Sequence, residues 1–183
     1  MSIPGPPDPA KLVVGMFTGE TDIIETVAEK LVQRFGDIDL VSRWLAFDFT
    51  DYYTEELGRP LYRRVFSFQH LIEQQTLPAV KNATNAIERE LTQDGKRRVN
   101  IDPGYMLRER FVLATGKNYS HRIYIGDGIY ADLTLIYQNR AFQTLPWTYP
   151  DYADDNMQAF LQRVRDRYLV GLKAMKPERQ EKG

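Results

Sequence analysis

The densest set of chemically able side chains lies on either side of Asp127-Gly128. That dipeptide is the strongest two-residue signal for a type I′ hairpin turn, whose two central residues both need positive φ. Pairing Gly126 with Ile129 sets a register in which Ile123 lies opposite Asp132 and His121 opposite Thr134. One face then carries His121, Ile123, Ile125, Tyr130, Asp132 and Thr134. The other carries Arg122, Tyr124, Ile129, Ala131, Leu133 and Leu135 and reads as the core face. His121 and Asp132 become diagonal neighbours about 7–8 Å apart, within side-chain reach. A carboxylate beside an imidazole fixes its tautomer and raises its proton affinity, so this is the candidate catalytic pair for acid–base work. A face with apolar walls and a few convergent polar groups also suits a ligand pocket. A solvated sheet face with a surface ion pair has the same pattern.

A second polar alternation runs through Lys96–Asp102, where Arg98, Asn100 and Asp102 alternate with Arg97, Val99 and Ile101. If this strand joins the hairpin's sheet, the three polar residues share the face of His121 and Asp132. Arg98 suits a phosphate or carboxylate. Asp102 and Asp132 together could hold a divalent cation with water, although no set of residues has the spacing of a metal-ligand loop. Aromatic partners come from Tyr130 and from the proline-bracketed Pro146-Trp147-Thr148-Tyr149-Pro150-Asp151-Tyr152, which could stack on a ring or seal one end of a core. The candidate ligand-binding set is therefore Arg98, Asn100, Asp102, Tyr130, Trp147 and Tyr149. Asp48, Asp51, Glu55 and Glu56 cluster around Tyr52 and Tyr53 and read as a solvated connection, and His70 reads as structural.

Several chemistries are excluded. The chain has no cysteine, so thiol nucleophiles and thiolate-held metals are ruled out. It has no G-x-x-x-x-G-K-[ST] loop, G-x-G-x-x-G, H-E-x-x-H or G-x-S-x-G. No cofactor is indicated. A formal net charge of −1 argues against duplex DNA as a partner, because phosphate neutralisation drives that affinity. No apolar run approaches the roughly 18 residues of a membrane span, and Met1–Pro9 does not read as a signal peptide, which points to the cytoplasm.

These residues need a scaffold, and 183 residues suit one domain. Residues 1–10 read as a flexible proline-rich arm, 11–175 as a single α+β domain and 176–183 as a charged tail. Lys11–Thr18 suits a buried strand. Ile24, Val27, Ala28, Leu31 and Phe35 follow at helical spacing until Gly36. Extended segments follow within 38–50 and 62–72, then a helix with the inner stripe Leu77, Val80, Thr84, Ile87 and Leu91, then the strand at 96–102. The order is β-α-β-β-α-β, the ferredoxin-like split pattern. Pro103-Gly104 reads as a turn leading into a meander that includes the hairpin. A last helix from about Asp154 to Met175 places Met157, Phe160, Leu161, Val164, Tyr168 and Leu172 inward.

Four segments together carry a family resemblance: Phe47-Asp48-Phe49-Thr50-Asp51-Tyr52-Tyr53, Asn100-Ile101-Asp102-Pro103-Gly104-Tyr105, His121 to Tyr130, and Leu145 to Tyr152. The chain resembles, from about Lys11 to Leu172, a bacterial domain-of-unknown-function family whose members often carry the label GTP-binding protein. The resemblance implies a bacterial cytoplasmic protein and supplies no catalytic residues. Lys117-Asn118 does not form an Asn-Lys-x-Asp guanine motif.

The leading expectation is a site for a small anionic ligand, a nucleotide or phosphoester, with His121 and Asp132 at its centre. One alternative is a non-catalytic protein-interaction module whose sheet pairs with itself or a partner, so a homo-oligomer is open. Another is RNA binding through Lys96, Arg97 and Arg98 with aromatic platforms.

Overall fold

A computed structural model describes residues 1–175; the charged tail expected at 176–183 lies outside them. In chain order the elements are β1 (Ala10–Thr18), α1 (Ile24–Phe35), β2 (Ile38–Val41), β3 (Leu45–Ala46), α2 (Thr54–Leu57), β4 (Tyr62–Ile72), α3 (Leu77–Glu90), β5 (Asn100–Met106), β6 (Arg110–Thr115), β7 (Arg122–Gly126), β8 (Ile129–Gln138), β9 (Ala141–Thr144), α4 (Pro150–Ala153) and α5 (Asp155–Met175). Single 3₁₀ turns precede α1 and α3. The class is α+β. Two elements, β3 and α2, intervene between β2 and β4, so the order is not a plain β-α-β-β-α-β.

All nine strands among the described residues belong to one antiparallel sheet, ordered β2-β4-β1-β5-β6-β8-β7, with β3 on β4 and β9 on β8. β1 is buried along its whole length because helices cover both faces. On one face Leu12, Val14 and Met16 pack with Val27 and Leu31 of α1 and Val80 and Ile87 of α3. On the other, Val13, Val65 and Phe111 pack with Met157, Phe160, Leu161, Val164, Tyr168 and Leu172 of α5, the stripe read from the sequence. Beyond Gly15 the second face changes character, and Phe17 joins Phe47, Leu57 and Leu61 in a separate aromatic cluster.

Pro103 and Gly104 do not turn the chain; they lie inside β5. β5 and β6 pair only through Gly104–Leu113, Tyr105–Val112 and Met106–Phe111. Asn100–Pro103 pair with β1 alone, and Ala114 and Thr115 with β8 alone. The sheet therefore splits below Gly104. At the fork a Cβ on Gly104 would stand 2.4 Å from the Val112 carbonyl oxygen, so only glycine fits. Pro103 is tolerated mid-sheet because the position of its missing N–H faces the split, where no strand needs a donor.

The hairpin turn is two residues long. Asp127 and Gly128 have φ of 51° and 76°, as a type I′ turn requires. Gly126 pairs with Ile129 as expected, but a bulge at Ile125 shifts everything beyond it by one residue. Arg122, not Ile123, lies opposite Asp132. This is the usual effect of one extra residue in one strand. The predicted faces are corrected accordingly: Ile123 is 71% exposed while Asp132 and Thr134 are buried. His121 sits in the turn before β7.

Candidate functional site

The fork between β5 and β6 opens a cleft of about 720 Å³. Its back is α3, whose side chains take over the role of the missing strand. Backbone groups in a sheet must be paired, and Ile101 turns its N–H and C=O into the split. The Ile101 N–H donates to Glu88 Oε1 at 2.6 Å. Lys81 Nζ donates to the Ile101 carbonyl at 2.8 Å. Both side chains are buried, and burial holds the Glu88 carboxyl above the ordinary range despite the nearby Lys81 and Arg97.

The β5 wall presents Asn100 and Asp102, whose side chains share a face with Gly15 and Phe17 of β1. Asn100 Nδ2 donates to Asp102 Oδ2 at 2.6 Å, and Lys81 Nζ lies 3.4 Å from Asp102 Oδ1. The opposite wall is Leu113, Ala114 and Thr115 of β6, with Asp132 of β8 behind them. One end is built from Phe47, Phe49 and Thr50 of the segment read as extended and from Tyr52 and Tyr53, around which the solvated connection was expected. Arg97 pins the helix after it: Nε and Nη2 both donate to the Glu56 carboxylate at 2.7 Å, and Nη1 donates to Glu88 at 2.9 Å. Tyr53 is partly buried here and its phenol is pushed up to about 12, chiefly by desolvation and next by Asp102.

Arg63 closes the back of the aromatic end. Its guanidinium lies over the rings of Phe17, Phe47 and Tyr152, with centroids at 5.2, 4.8 and 5.2 Å. Nη1 donates to the Tyr152 hydroxyl at 3.1 Å. Nη2 is 2.9 Å from Asp151 Oδ2 but outside hydrogen-bonding geometry, and Nε has no partner among the described residues. Burial pushes the Asp151 carboxyl up, with Arg63 pulling the other way. Gly15 makes room for this cluster: a Cβ there would meet the Tyr152 hydroxyl at 3.1 Å and Arg63 Nη1 at 3.2 Å.

Of the residues singled out in the sequence, Asn100, Asp102, Asp132 and Tyr149 line the cleft, whereas Arg98, His121, Tyr130 and Trp147 do not. His121 and Asp132 do meet, with His121 Nε2 and Asp132 Oδ2 3.2 Å apart, but Arg122 Nε donates to the same oxygen at 2.9 Å. The His121 ring stacks on Trp147 at 4.9 Å, and the Trp147 indole N–H donates to the Leu133 carbonyl. Arg122 also donates to the Lys117 carbonyl and the Tyr149 hydroxyl, tying two loops to Asp132. Tyr130 packs edge-on against Tyr124. Arg98 precedes β5, so strand alternation does not govern it; it turns away to Glu20 while Arg97 enters the cleft. The basic run is engaged within the chain, since Lys96 Nζ also donates to the Glu55 carbonyl.

Arg63, Lys81 and Glu88 line the cleft without having been singled out in the sequence. The signal for the last two was present: Leu77, Lys81, Thr84 and Glu88 recur at helical spacing along one flank of the α3 stripe, and a charge inside an apolar stripe needs a partner. Among the described residues there is no group of three or more His, Asp or Glu placed to hold a metal ion, and no helix long and apolar enough to cross a membrane. A family model described as a domain of unknown function (DUF4416) matches residues 8–168. No curated protein and no solved structure matches the chain.

Proposed function

We propose that this chain, which belongs to the DUF4416 family, binds a small organic anion such as a nucleotide or phosphoester in the cleft between β5 and β6. One observation carries the reading. Among the described residues, Lys117 is the cleft-lining cation with no carboxylate partner: Arg63 faces Asp151, Lys81 faces Asp102, and Arg97 faces Glu56 and Glu88. Lys117 sits at the mouth, 4.7 Å from the centroid of the Tyr52 ring, and Arg122 fixes its backbone. An ammonium placed there meets an incoming anion without first breaking an ion pair. Phe49, Tyr52 and Tyr53 supply faces for a ring, and the volume suits a nucleotide-sized molecule. In this reading His121 and Asp132 act on the ligand indirectly. With Arg122 they hold the loops that carry Lys117 and Tyr149.

A thermal-shift screen against nucleotides, sugar phosphates and divalent metal ions tests the proposal. A phosphate-bearing compound at a hundred times its dissociation constant stabilises by about 2.7 kcal/mol, a rise in Tm of roughly 5–11 °C for a chain this size. Lys117→Ala should remove the rise and leave the unliganded Tm unchanged. A screen in which no anion shifts the Tm at millimolar concentration, or a shift that survives Lys117→Ala in full, overturns the reading.

A further inference from the structure

We infer that the ligand of this cleft is zwitterionic, with an amino group held at Asp102 as well as an anion at Lys117. The inference rests on the cleft reading above and adds a second charged contact. Eight charged side chains, four of each sign, line the cleft, and most are already matched and sealed. The Glu88, Asp132 and Asp151 side chains keep only 7%, 1% and 7% exposure, and each faces an arginine. Asp102 keeps 29%. It is the cleft carboxylate that an entering molecule can touch.

The pairing of Asp102 is also incomplete. Oδ2 accepts the Asn100 amide at 2.6 Å. Oδ1 has only Lys81 at 3.4 Å, because that ammonium is drawn to the Ile101 carbonyl at 2.8 Å. A carboxylate oxygen accepts about two hydrogen bonds, so Oδ1 has room for a strong donor. The surroundings suit a cation. Tyr53 and Tyr149 line the same cleft, and both phenols are pushed up by burial, with the Asp102 charge adding to the effect. They stay neutral at physiological pH, and a neutral aromatic face attracts an ammonium group. Arg63 and Lys81 lie behind Asp102, buried and already engaged. Arg97 is as exposed as Asp102 but is fully engaged by Glu56 and Glu88, so Asp102 within the cleft and Lys117 at its mouth are the incompletely paired charges that a molecule bearing both an ammonium and a phosphate or carboxylate would meet.

Matched pairs of probes that differ only in the amino group test this by calorimetry: O-phosphoethanolamine against ethyl phosphate, and γ-aminobutyrate against butyrate. The phosphate and carboxylate pairs also distinguish which anion the mouth prefers. The amino member should bind wild-type protein at least about tenfold more tightly, the scale of one charge-assisted hydrogen bond. Asp102→Asn should reduce that preference to less than about twofold, and Asp102→Glu should retain part of it. The wild-type comparison stands even if a variant does not fold. Equal binding of both members of each pair overturns the inference and leaves the cleft reading standing. A preference that survives Asp102→Asn in a folded variant also overturns it. Failure of both pairs, together with failure of the wider anion screen, overturns both.

Discussion

Arg63 offers the sharpest test of how the cleft is built. The substitution Arg63→Met keeps an apolar stem and removes the guanidinium that lies over Phe17, Phe47 and Tyr152 and faces Asp151. Asp151 is buried and would be left with an uncompensated charge. Breaking one side of a buried pair costs about 3–5 kcal/mol. Against a total stability of roughly 5–15 kcal/mol this is a large fraction, equivalent to a fall in Tm of about 6–20 °C. The loss should depend on pH, and its sign follows from the direction of the Asp151 shift. Burial raises the folded carboxyl above its unfolded value. Its ionisation therefore costs nothing below the unfolded value, and the cost grows as pH climbs towards the folded one. Removing Arg63 takes away the group that pulls Asp151 down, so the window widens upward. Urea denaturation at pH 5 and pH 7 should show a smaller loss at the lower pH, and Arg63→Met/Asp151→Asn should be more stable than Arg63→Met at pH 7. A loss under about 1 kcal/mol, an equal loss at both pH values, or a double variant weaker than the single one would refute the reasoning.

Two further outcomes follow from the backbone. Gly128→Val should destabilise by about 1–3 kcal/mol in a thermal melt, since a β-branched residue would occupy a φ of 76°, whereas Gly128→Asn should be tolerated much better. Glu88→Ala strands the buried Ile101 N–H and frees Arg97 from one of its partners, so chemical denaturation should show a loss of about 2–4 kcal/mol, and hydrogen exchange at the Ile101 amide should become fast.

The parts of the fold that depend on periodicity were legible. The α5 stripe from Met157 to Leu172 and the buried run of β1 need only their own spacing. The two-residue turn at Asp127-Gly128 was legible for a similar local reason, because positive φ selects those residues. The bulge at Ile125 was not, since an isoleucine has no side-chain signature for being the extra residue, and the one-residue shift exchanged Ile123 for Arg122 opposite Asp132. Pro103-Gly104 misled for a different reason. Both residues also serve a strand that loses its neighbour, and that loss is a property of β6, not of the local sequence. Strand alternation puts Asn100 and Asp102 together on the cleft wall, and it does not extend to Arg98 because the strand begins two residues later. Arg63 comes from β4 and Lys81 and Glu88 from α3, and only the assembled sheet brings them to one cleft.

The short seam between β5 and β6 has a mechanical meaning. A sheet of this width ordinarily resists shear because each strand is laced to the next along its length, yet here the backbone lacing between one half and the other is confined to three residue pairs next to a glycine. The two halves share their helices: α5 packs against Val13 and Val65 on one side of the seam and Phe111 on the other, and α3 backs the fork itself. Torsion about the seam is therefore opposed by α5 and by the α3 side chains that enter the fork more than by hydrogen bonds from strand to strand.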